Sequence, residues 1–232
     1  PNGAGKSTLI QAVLGILPHH SGSVRVLGRQ LSARGVLPRS VRSAIAYLPQ
    51  NFMFDRRLPM TAAEMVGLGW TNLTPQWPWR DRKARNQAVV QALDKVQALH
   101  LCKQRLYSLS GGEMKRVLLA YCLVQPRKLL ILDESPAGLD TRREADFYRL
   151  LYDLQRQQGW AILQVSHDLN MVQRQCDHVL CINQRLLCEG EPDLALSPES
   201  LSKAYGLDFV RYRHSCHDES TASDSVDALK SL

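Results

Sequence analysis

Short apolar runs that end in polar or acidic residues predict a parallel sheet buried inside the protein. Three such runs occur, at 44–48, 128–133 and 161–165, and continuous apolar segments of this length are typical of strands covered on both faces. At 23–27, small or polar residues alternate with apolar ones, which predicts a strand with one exposed face. Strands separated by helical segments indicate an α/β fold.

Apolar residues that recur every three or four positions predict the helices between these strands. The clearest helix is 82–99, and others are predicted at 9–14, 110–124, 142–158 and 168–176. Two short strands at 179–183 and 185–189 form a plausible hairpin through Gln184. The segment 51–109 is mostly helical, with a break rich in tryptophan and proline at 71–79.

Composition agrees with one globular domain, since 44% of the 232 residues are hydrophobic and 22% are charged. The longest apolar run, 117–124, is far shorter than the roughly 20 residues that span a bilayer. Residue 1 already lies within a motif, so no secretory leader is expected. The net charge of +7 comes from scattered arginines, which favours solvated faces over a nucleic-acid-binding arm. The six cysteines form no CxxC pair, which predicts reduced cytosolic thiols.

The chain begins with a glycine-rich turn that runs into a helix. Gly5-Lys6-Ser7 completes the pattern G-x-x-x-x-G-K-[ST], whose leading glycine would lie just before Pro1. Backbone N–H groups of such a loop surround phosphate oxygens, the lysine adds a positive charge, and the serine hydroxyl can ligate Mg²⁺. The predicted nucleotide contacts are Asn2, Gly3, Ala4, Gly5, Lys6, Ser7 and Thr8.

A pair of acids follows the most apolar strand. Asp133 and Glu134 come directly after 129–132, where a carboxylate can hold Mg²⁺ through water and its neighbour can polarise the attacking water. Alone, this pattern is a common strand ending. Together with the glycine-rich turn it predicts a site for hydrolysis of a nucleoside triphosphate.

A Ser-Gly-Gly turn lies between these two motifs, in Leu109-Ser110-Gly111-Gly112-Glu113. Serine and two glycines at a helix N-terminus create an anion site, and Ser110 with Glu113 also fits a capping box. The pentapeptide resembles the signature of the ABC ATPase family. In that family this turn binds the γ-phosphate held by the partner subunit, which implies a homodimer with Ser110, Gly111 and Gly112 at its nucleotide contacts.

Further residues match the family in its order along the chain. Gln50 resembles the Q-loop glutamine, which senses Mg²⁺ and the attacking water; 135–140 resembles the D-loop; and His167 resembles the switch histidine. The resemblance covers about residues 1–205. It implies ATP and Mg²⁺ as cofactors, catalysis by Glu134, His167 and Gln50, and Mg²⁺ held by Ser7, Gln50 and Asp133.

The resemblance also implies an architecture, a P-loop NTPase (RecA-like) α/β core with a mixed sheet and an inserted helical signature subdomain. Its core would comprise 1–50 and 125–195, its helical subdomain about 51–124, and 206–232 would be a polar, disordered tail. The family's first strand and its adenine-stacking aromatic residue have no counterpart in the sequence. We therefore expect ATP binding and hydrolysis from a chain that carries both of these features, and we make no such prediction for residues 1–232 alone.

Three classes of ABC protein are compatible with these motifs. Chromosome-maintenance and repair ATPases carry a long coiled coil or a zinc insert between the Q-loop and the signature, and the segment between Gln50 and Ser110 of this chain shows neither. Translation-type members carry two cassettes, whereas this chain has one LSGGE. The sequence therefore favours the ATPase subunit of a transporter. Its expected partners are integral-membrane permeases and an extracytoplasmic substrate-binding protein, with no nucleic acid. Its expected location is the cytoplasmic face of the membrane. The segment 55–69 resembles importers of zinc, manganese or iron ions; siderophore or haem uptake, or export, is the alternative.

Overall fold

A computed structural model describes residues 3–19, 21–32, 35–49, 59–70, 82–133, 141–166 and 168–205, and only the backbone at 141–144 and 203–205. The helices are α1 (Lys6–Val13), α2 (Arg39–Arg42), α3 (Ala62–Leu68), α4 (Arg82–Lys95), α5 (Gly111–Leu123), α6 (Thr141–Gln158), α7 (Leu169–Gln175), α8 (Pro192–Ala195) and α9 (Pro198–Tyr205). The strands are β1 (Arg25–Val26), β2 (Arg29–Gln30), β3 (Ile45–Leu48), β4 (Leu129–Leu132), β5 (Ala161–Gln164), β6 (Val179–Ile182) and β7 (Leu186–Gly190).

A three-stranded parallel sheet lies at the centre, in the order β3-β4-β5. Ile45 pairs with Leu129 and Leu48 with Leu132, while Leu132 also pairs with Gln164. The strands therefore end level with one another, and the residues that follow them meet at one edge of the sheet. This is the parallel arrangement predicted from the three apolar runs.

The two faces of β4 contact different layers of helix. Leu130 and Leu132 belong to a large buried cluster built with α3, α4, α5 and α6. Ile131 belongs to a second cluster with Ile10 of α1, Val41 of α2 and Ile45 of β3. Because side chains alternate between the two faces of a strand, this division also determines which face the following residues share.

Side-chain caps fix the starts of several helices. Thr61 and Glu64 form a capping box on α3, Ser110 and Glu113 form another on α5, and the Asp168 carboxylate accepts bonds from two N–H groups at the start of α7. Helix α4 ends earlier than the predicted 99, because Gln97 takes a left-handed backbone conformation (φ 56°). The short elements α2, β2 and α8 were not predicted, and neither was α9.

Strands β6 and β7 form the predicted hairpin as an antiparallel pair, with Gln184 in its turn. Cys181 and Cys188 lie opposite each other in it and are joined by a disulfide bond. The prediction that every cysteine is a reduced thiol is therefore wrong for this pair, since the register of the hairpin places the two sulfur atoms in contact. Cys102, Cys122 and Cys176 are free.

Within the described part of the chain, no helix is both long enough and apolar enough to span a bilayer. Helices α3, α4 and α5 pack on one another and share one buried cluster with Leu130 of β4. The division into core and helical subdomain stays a prediction. The predicted disordered tail, 206–232, lies outside the described residues, as does the predicted break at 71–79.

Candidate functional site

The glycine-rich turn folds tightly against the start of α1. Gly3 and Gly5 have left-handed backbones, with φ of 76° and 90°, a conformation that glycine adopts at little cost. Ala4 between them is buried, with 1% of its surface exposed. No side chain caps α1, so the first N–H groups of this helix have the orientation that binds anions in helix N-termini.

The turn and the acidic strand end are joined by a direct hydrogen bond. The Ser7 hydroxyl donates to Asp133 Oδ1 at 3.0 Å, although 126 positions separate the two residues in sequence. Asp133 is the one charged side chain among the buried residues of the described chain, with 4% of its surface exposed. The two predicted motifs therefore form one site.

Tyr47 holds the other oxygen of the same carboxylate, since its hydroxyl donates to Asp133 Oδ2 at 3.2 Å. Tyr47 pairs with Ile131 across β3 and β4, which places its side chain on the face of the sheet that α1 covers. Burial, followed by the nearby Asp133 charge, raises the pKa of Tyr47 to about 12. The phenol therefore stays protonated, and remains a donor, through the neutral range.

Mg²⁺ fits this donor set. Carboxylate and hydroxyl oxygens are the protein ligands that Mg²⁺ takes, together with water and phosphate oxygens. Asp133 and Ser7 bring one of each to the same point, at the end of the glycine-rich turn. The two described side chains that donate to this carboxylate do so through uncharged hydroxyl groups, and a buried carboxylate favours a cation beside it.

The β6–β7 hairpin also contacts the glycine-rich turn, through a backbone hydrogen bond. The Gln184 backbone N–H donates to the carbonyl oxygen of Ala4 at 2.8 Å. Gln184 itself lies in the hairpin turn and has a left-handed backbone, with φ of 57°. The buried Ala4 peptide is thus held by a contact from outside the loop.

The Ser-Gly-Gly turn has the predicted capping box. Ser110 N–H and hydroxyl both donate to Glu113 Oε2, at 2.8 and 2.7 Å, and Glu113 N–H donates to Ser110 Oγ at 3.4 Å. Ser110 and Gly111 are exposed and Gly112 is half-buried, and a Cβ placed on Gly111 would meet nothing within 4 Å. The described contacts therefore leave this helix end open to a partner.

Several predicted site residues lie outside the described part of the chain, namely Asn2, Gln50, Glu134, His167 and the D-loop 135–140. The strands that precede three of them are described. Gln50 follows β3, Glu134 follows β4 and His167 follows β5, and these strands end at the same edge of the sheet. The catalytic roles of Gln50, Glu134 and His167 stay predictions. So do the nucleotide contacts of 2–8 and 110–112 and the Mg²⁺ ligands Ser7, Gln50 and Asp133.

Sequence reasoning missed Tyr47 and Gln184. Strand alternation identifies Tyr47 only after the level pairing of β3 and β4 is known, because residues 47, 131 and 133 then share a face. Gln184 contributes its backbone N–H rather than its side chain, and no residue-type pattern identifies such a contact.

The comparisons with known proteins agree with this geometry. Residues 1–137 match the family described as ABC transporter. The zinc import ATP-binding protein ZnuC of Yersinia pestis is 37% identical over 206 residues, which are 89% of this chain and 72% of that protein. ATPases of this kind bind ATP and work with membrane subunits in transporter complexes.

Two solved structures share the fold. An inward-facing transporter described as being of the metal-chelate ABC type has a TM-score of 0.74 and 28% identity, over 88% of this chain and 75% of that chain. The cbiO1 protein of Clostridium perfringens, part of the ABC transporter complex cbiONQ, has a TM-score of 0.72 and 29% identity, over 87% and 78% of the two chains. The glycine-rich turn bonded to a buried strand-end aspartate, the capped Ser-Gly-Gly helix and these matches lead to one conclusion: the chain belongs to the ABC transporter family, among its ATP-hydrolysing subunits.

Proposed function

We propose that this ATPase drives the import of zinc ions through a membrane transporter. The hydrogen bond between Ser7 and Asp133 carries the mechanistic part of the proposal, because it unites a phosphate-binding turn with a metal-binding carboxylate. The choice of zinc is supported by the zinc import proteins to which the chain is similar. The ATPase does not touch the transported ion, so this choice depends on relationship rather than on a zinc site.

The residues around Asp133 have different roles in phosphoryl transfer. Backbone N–H groups of 2–7 and the Lys6 ammonium hold the phosphates, while Ser7, Asp133 and Gln50 would hold Mg²⁺. When bound, the cation neutralises charge on the phosphate oxygens. Glu134 accepts a proton from the attacking water, and His167 donates a hydrogen bond to the γ-phosphate. Catalysis then consists mainly of positioning and electrostatic stabilisation.

A second copy of the chain completes each site. Ser110, Gly111 and Gly112 lie at an exposed helix N-terminus, where N–H groups favour an anion. In the proposed homodimer this end of α5 contacts the γ-phosphate bound by the glycine-rich turn of the partner subunit. Two ATP molecules are thereby held between two copies, and hydrolysis releases them.

Closure of the dimer moves membrane partners. The expected partners are integral-membrane permeases and an extracytoplasmic substrate-binding protein, with the ATPase peripheral on the cytoplasmic face and no nucleic acid involved. The proposed docking groove runs near Gln50 and 51–60, of which only Pro59 and Met60 are described. Met60 is held there by the Leu106 N–H, which donates to its carbonyl oxygen at 3.0 Å.

Zinc uptake tests the transport proposal. The complete protein, expressed with the permease encoded beside it, should restore radioactive zinc uptake in a bacterium that lacks its own zinc-import ATPase. Lys6→Ala and Glu134→Gln variants serve as inactive controls. Uptake of manganese or iron but not zinc would contradict the assignment of the ion.

Trapping the dimer tests the mechanism separately. Glu134→Gln should retain Mg·ATP affinity, abolish hydrolysis and sediment as a dimer with ATP bound. Adding Ser110→Arg should return that variant to a monomer that still binds ATP. A Glu134→Gln protein that hydrolyses ATP at the parental rate, or a dimer unaffected by Ser110→Arg, would contradict the proposed roles.

Uptake of a metal chelate is a second candidate, favoured by the similarity to a transporter of the metal-chelate type. The same strain and permease would then accumulate a ferric siderophore or haem and not free zinc. A competition experiment separates the two, because a tenfold excess of unlabelled chelate should leave zinc uptake unchanged under the main proposal.

A further inference from the structure

The disulfide in the β6–β7 hairpin lies where a small oxidant can reach it. Cys181 and Cys188 are register partners with Cα atoms 4.9 Å apart, so formation or cleavage of the bond requires no rearrangement of the strands. Both residues are half-buried rather than enclosed. The prediction of reduced thiols came from the absence of a CxxC pair, and cross-strand pairing does not depend on that spacing.

The bonded pair separates an anchored base of the hairpin from an exposed tip. At the base, Val179 packs with Ala195, Leu196 and Leu201, and Cys188 Sγ lies 3.3 Å from the Ala195 carbonyl oxygen. Beyond the pair, residues 183–187 are all exposed. The ladder also shifts register between Cys181 and Ile182, so regular pairing alone fixes the tip poorly.

That exposed tip is the part of the hairpin that contacts the glycine-rich turn. Within it, Asn183 N–H donates to the Arg185 carbonyl oxygen at 3.0 Å, and Gln184 N–H donates to the Ala4 carbonyl oxygen at 2.8 Å. Cross-linking the chain at Cys181 and Cys188 closes a short loop that contains Gln184, which lowers the number of conformations available to it. The disulfide therefore restricts the positions that the Gln184 N–H can take.

We propose that Cys181 and Cys188 form a thiol–disulfide exchange site that controls nucleotide affinity through the contact between Gln184 and Ala4. The oxidant is a small-molecule disulfide of the glutathione type. The thiolate of one cysteine attacks one sulfur of that disulfide and expels one thiolate, leaving a mixed disulfide. The second cysteine thiolate attacks the protein sulfur and expels the other. Two protein thiols are oxidised, one external disulfide is reduced, and the two released thiolates take up the two protons.

The oxidised form binds nucleotide more tightly, because the Gln184 contact then holds the Ala4 peptide, and with it the adjoining peptides of the glycine-rich turn, in one conformation. Reduction weakens one backbone hydrogen bond that supports this conformation. The change in affinity is then limited to the net value of such a bond, which corresponds to about three- to tenfold in Kd.

Binding of a fluorescent ATP analogue to the complete protein measures the effect. Protein equilibrated with oxidised glutathione should bind the analogue about three- to tenfold more tightly than protein reduced with dithiothreitol, and peptide mass spectrometry should show the 181–188 cross-link only in the former. The Cys181→Ser/Cys188→Ser variant should bind like reduced protein under both conditions. The matched control is Cys176→Ser, a free cysteine that packs on the same cluster and should keep the full response.

Hydrogen exchange of the Gln184 amide gives a second readout that requires no nucleotide, zinc or transport. Reduction should speed its exchange about three- to tenfold, and the double serine variant should exchange at the fast rate in both conditions. Equal affinity of the verified oxidised and reduced proteins, failure of the cross-link to form, or a redox response retained in the double variant would each overturn the proposal. Loss of zinc uptake would contradict the transport proposal and leave these measurements unaffected.

Discussion

Replacing Tyr47 by Phe removes one hydroxyl group from the environment of the buried Asp133 carboxylate. The ring of Tyr47 packs against the cluster that includes Ile131 and Ile45, and phenylalanine preserves that packing. The substitution therefore leaves Asp133 Oδ2 without the donor that now lies 3.2 Å from it. Ser7 still donates to Oδ1, so the carboxylate loses one of its two side-chain donors.

The expected cost follows from the burial of that carboxylate. A hydrogen bond to a charged group contributes roughly 1.5–3 kcal/mol net, and the 3.2 Å length is long for an O–H donor, which favours the lower end. Asp133 is only 4% exposed, so water replaces the missing donor poorly. We expect Tyr47→Phe to lower the unfolding free energy by about 1.5 kcal/mol, which for this chain length lowers Tm by about 3–6 °C.

Thermal and urea denaturation without nucleotide provide the assay, so that stability is measured apart from catalysis. Tyr152→Phe is the matched control, because Tyr152 is 46% exposed on α6 and its loss should change the unfolding free energy by less than about 0.5 kcal/mol. Equal stability of the Tyr47→Phe and Tyr152→Phe proteins would refute the assignment of Tyr47 as a support for Asp133.

Three further predictions concern packing, capping and thiol burial. Gly69→Ala should destabilise the protein by about 1–3 kcal/mol in urea denaturation, because its Cβ would lie 2.4 Å from a backbone carbonyl oxygen of α5. Gly67→Ala should stay close to wild type in the same assay, because the three atoms nearest to its Cβ all belong to the flexible end of Arg85. Thr61→Ala should lower Tm by about 3 °C at neutral pH. That loss should shrink in acid, because hydrogen bonds from Thr61 lower the pKa of Glu64 and the stabilisation they give disappears as the carboxylate becomes protonated; an unchanged difference at low pH would contradict this account. Burial raises the pKa of the Cys122 thiol to about 12, so peptide mass spectrometry after alkylation at pH 8 should find Cys122 labelled only upon unfolding. For the same reason the free energy of unfolding should fall as the pH rises from about 9 to about 12. Labelling of folded Cys122 as fast as that of Cys102 would show that Cys122 is not buried.

The elements that carry the site could be predicted because their signals are local. The apolar run at 128–133 became β4, and the glycine-rich turn became the loop before α1, since each is specified by neighbouring residues. The pairing of Ser7 with Asp133 also followed from motif order. Short elements such as α2, with four residues, span barely one helical turn and therefore show no periodicity to detect.

The contacts that tune the site could not be predicted, because they depend on register between distant segments. Tyr47 and Asp133 lie 86 positions apart and meet only because β3 and β4 pair level. The disulfide between Cys181 and Cys188 depends on how one hairpin aligns, and a shift of one residue would separate the sulfur atoms. The Gln184 contact depends on a backbone N–H, which every residue type except proline carries.

The capping box of α5 places a carboxylate of the same subunit at the helix end that is proposed to bind phosphate. A single Glu113 oxygen occupies both the N–H and the hydroxyl of Ser110, so an incoming γ-phosphate must displace an internal carboxylate and overcome its repulsion. In the proposed homodimer, the opposing subunit would present its γ-phosphate at a high effective concentration, which would favour this exchange over the binding of a free anion.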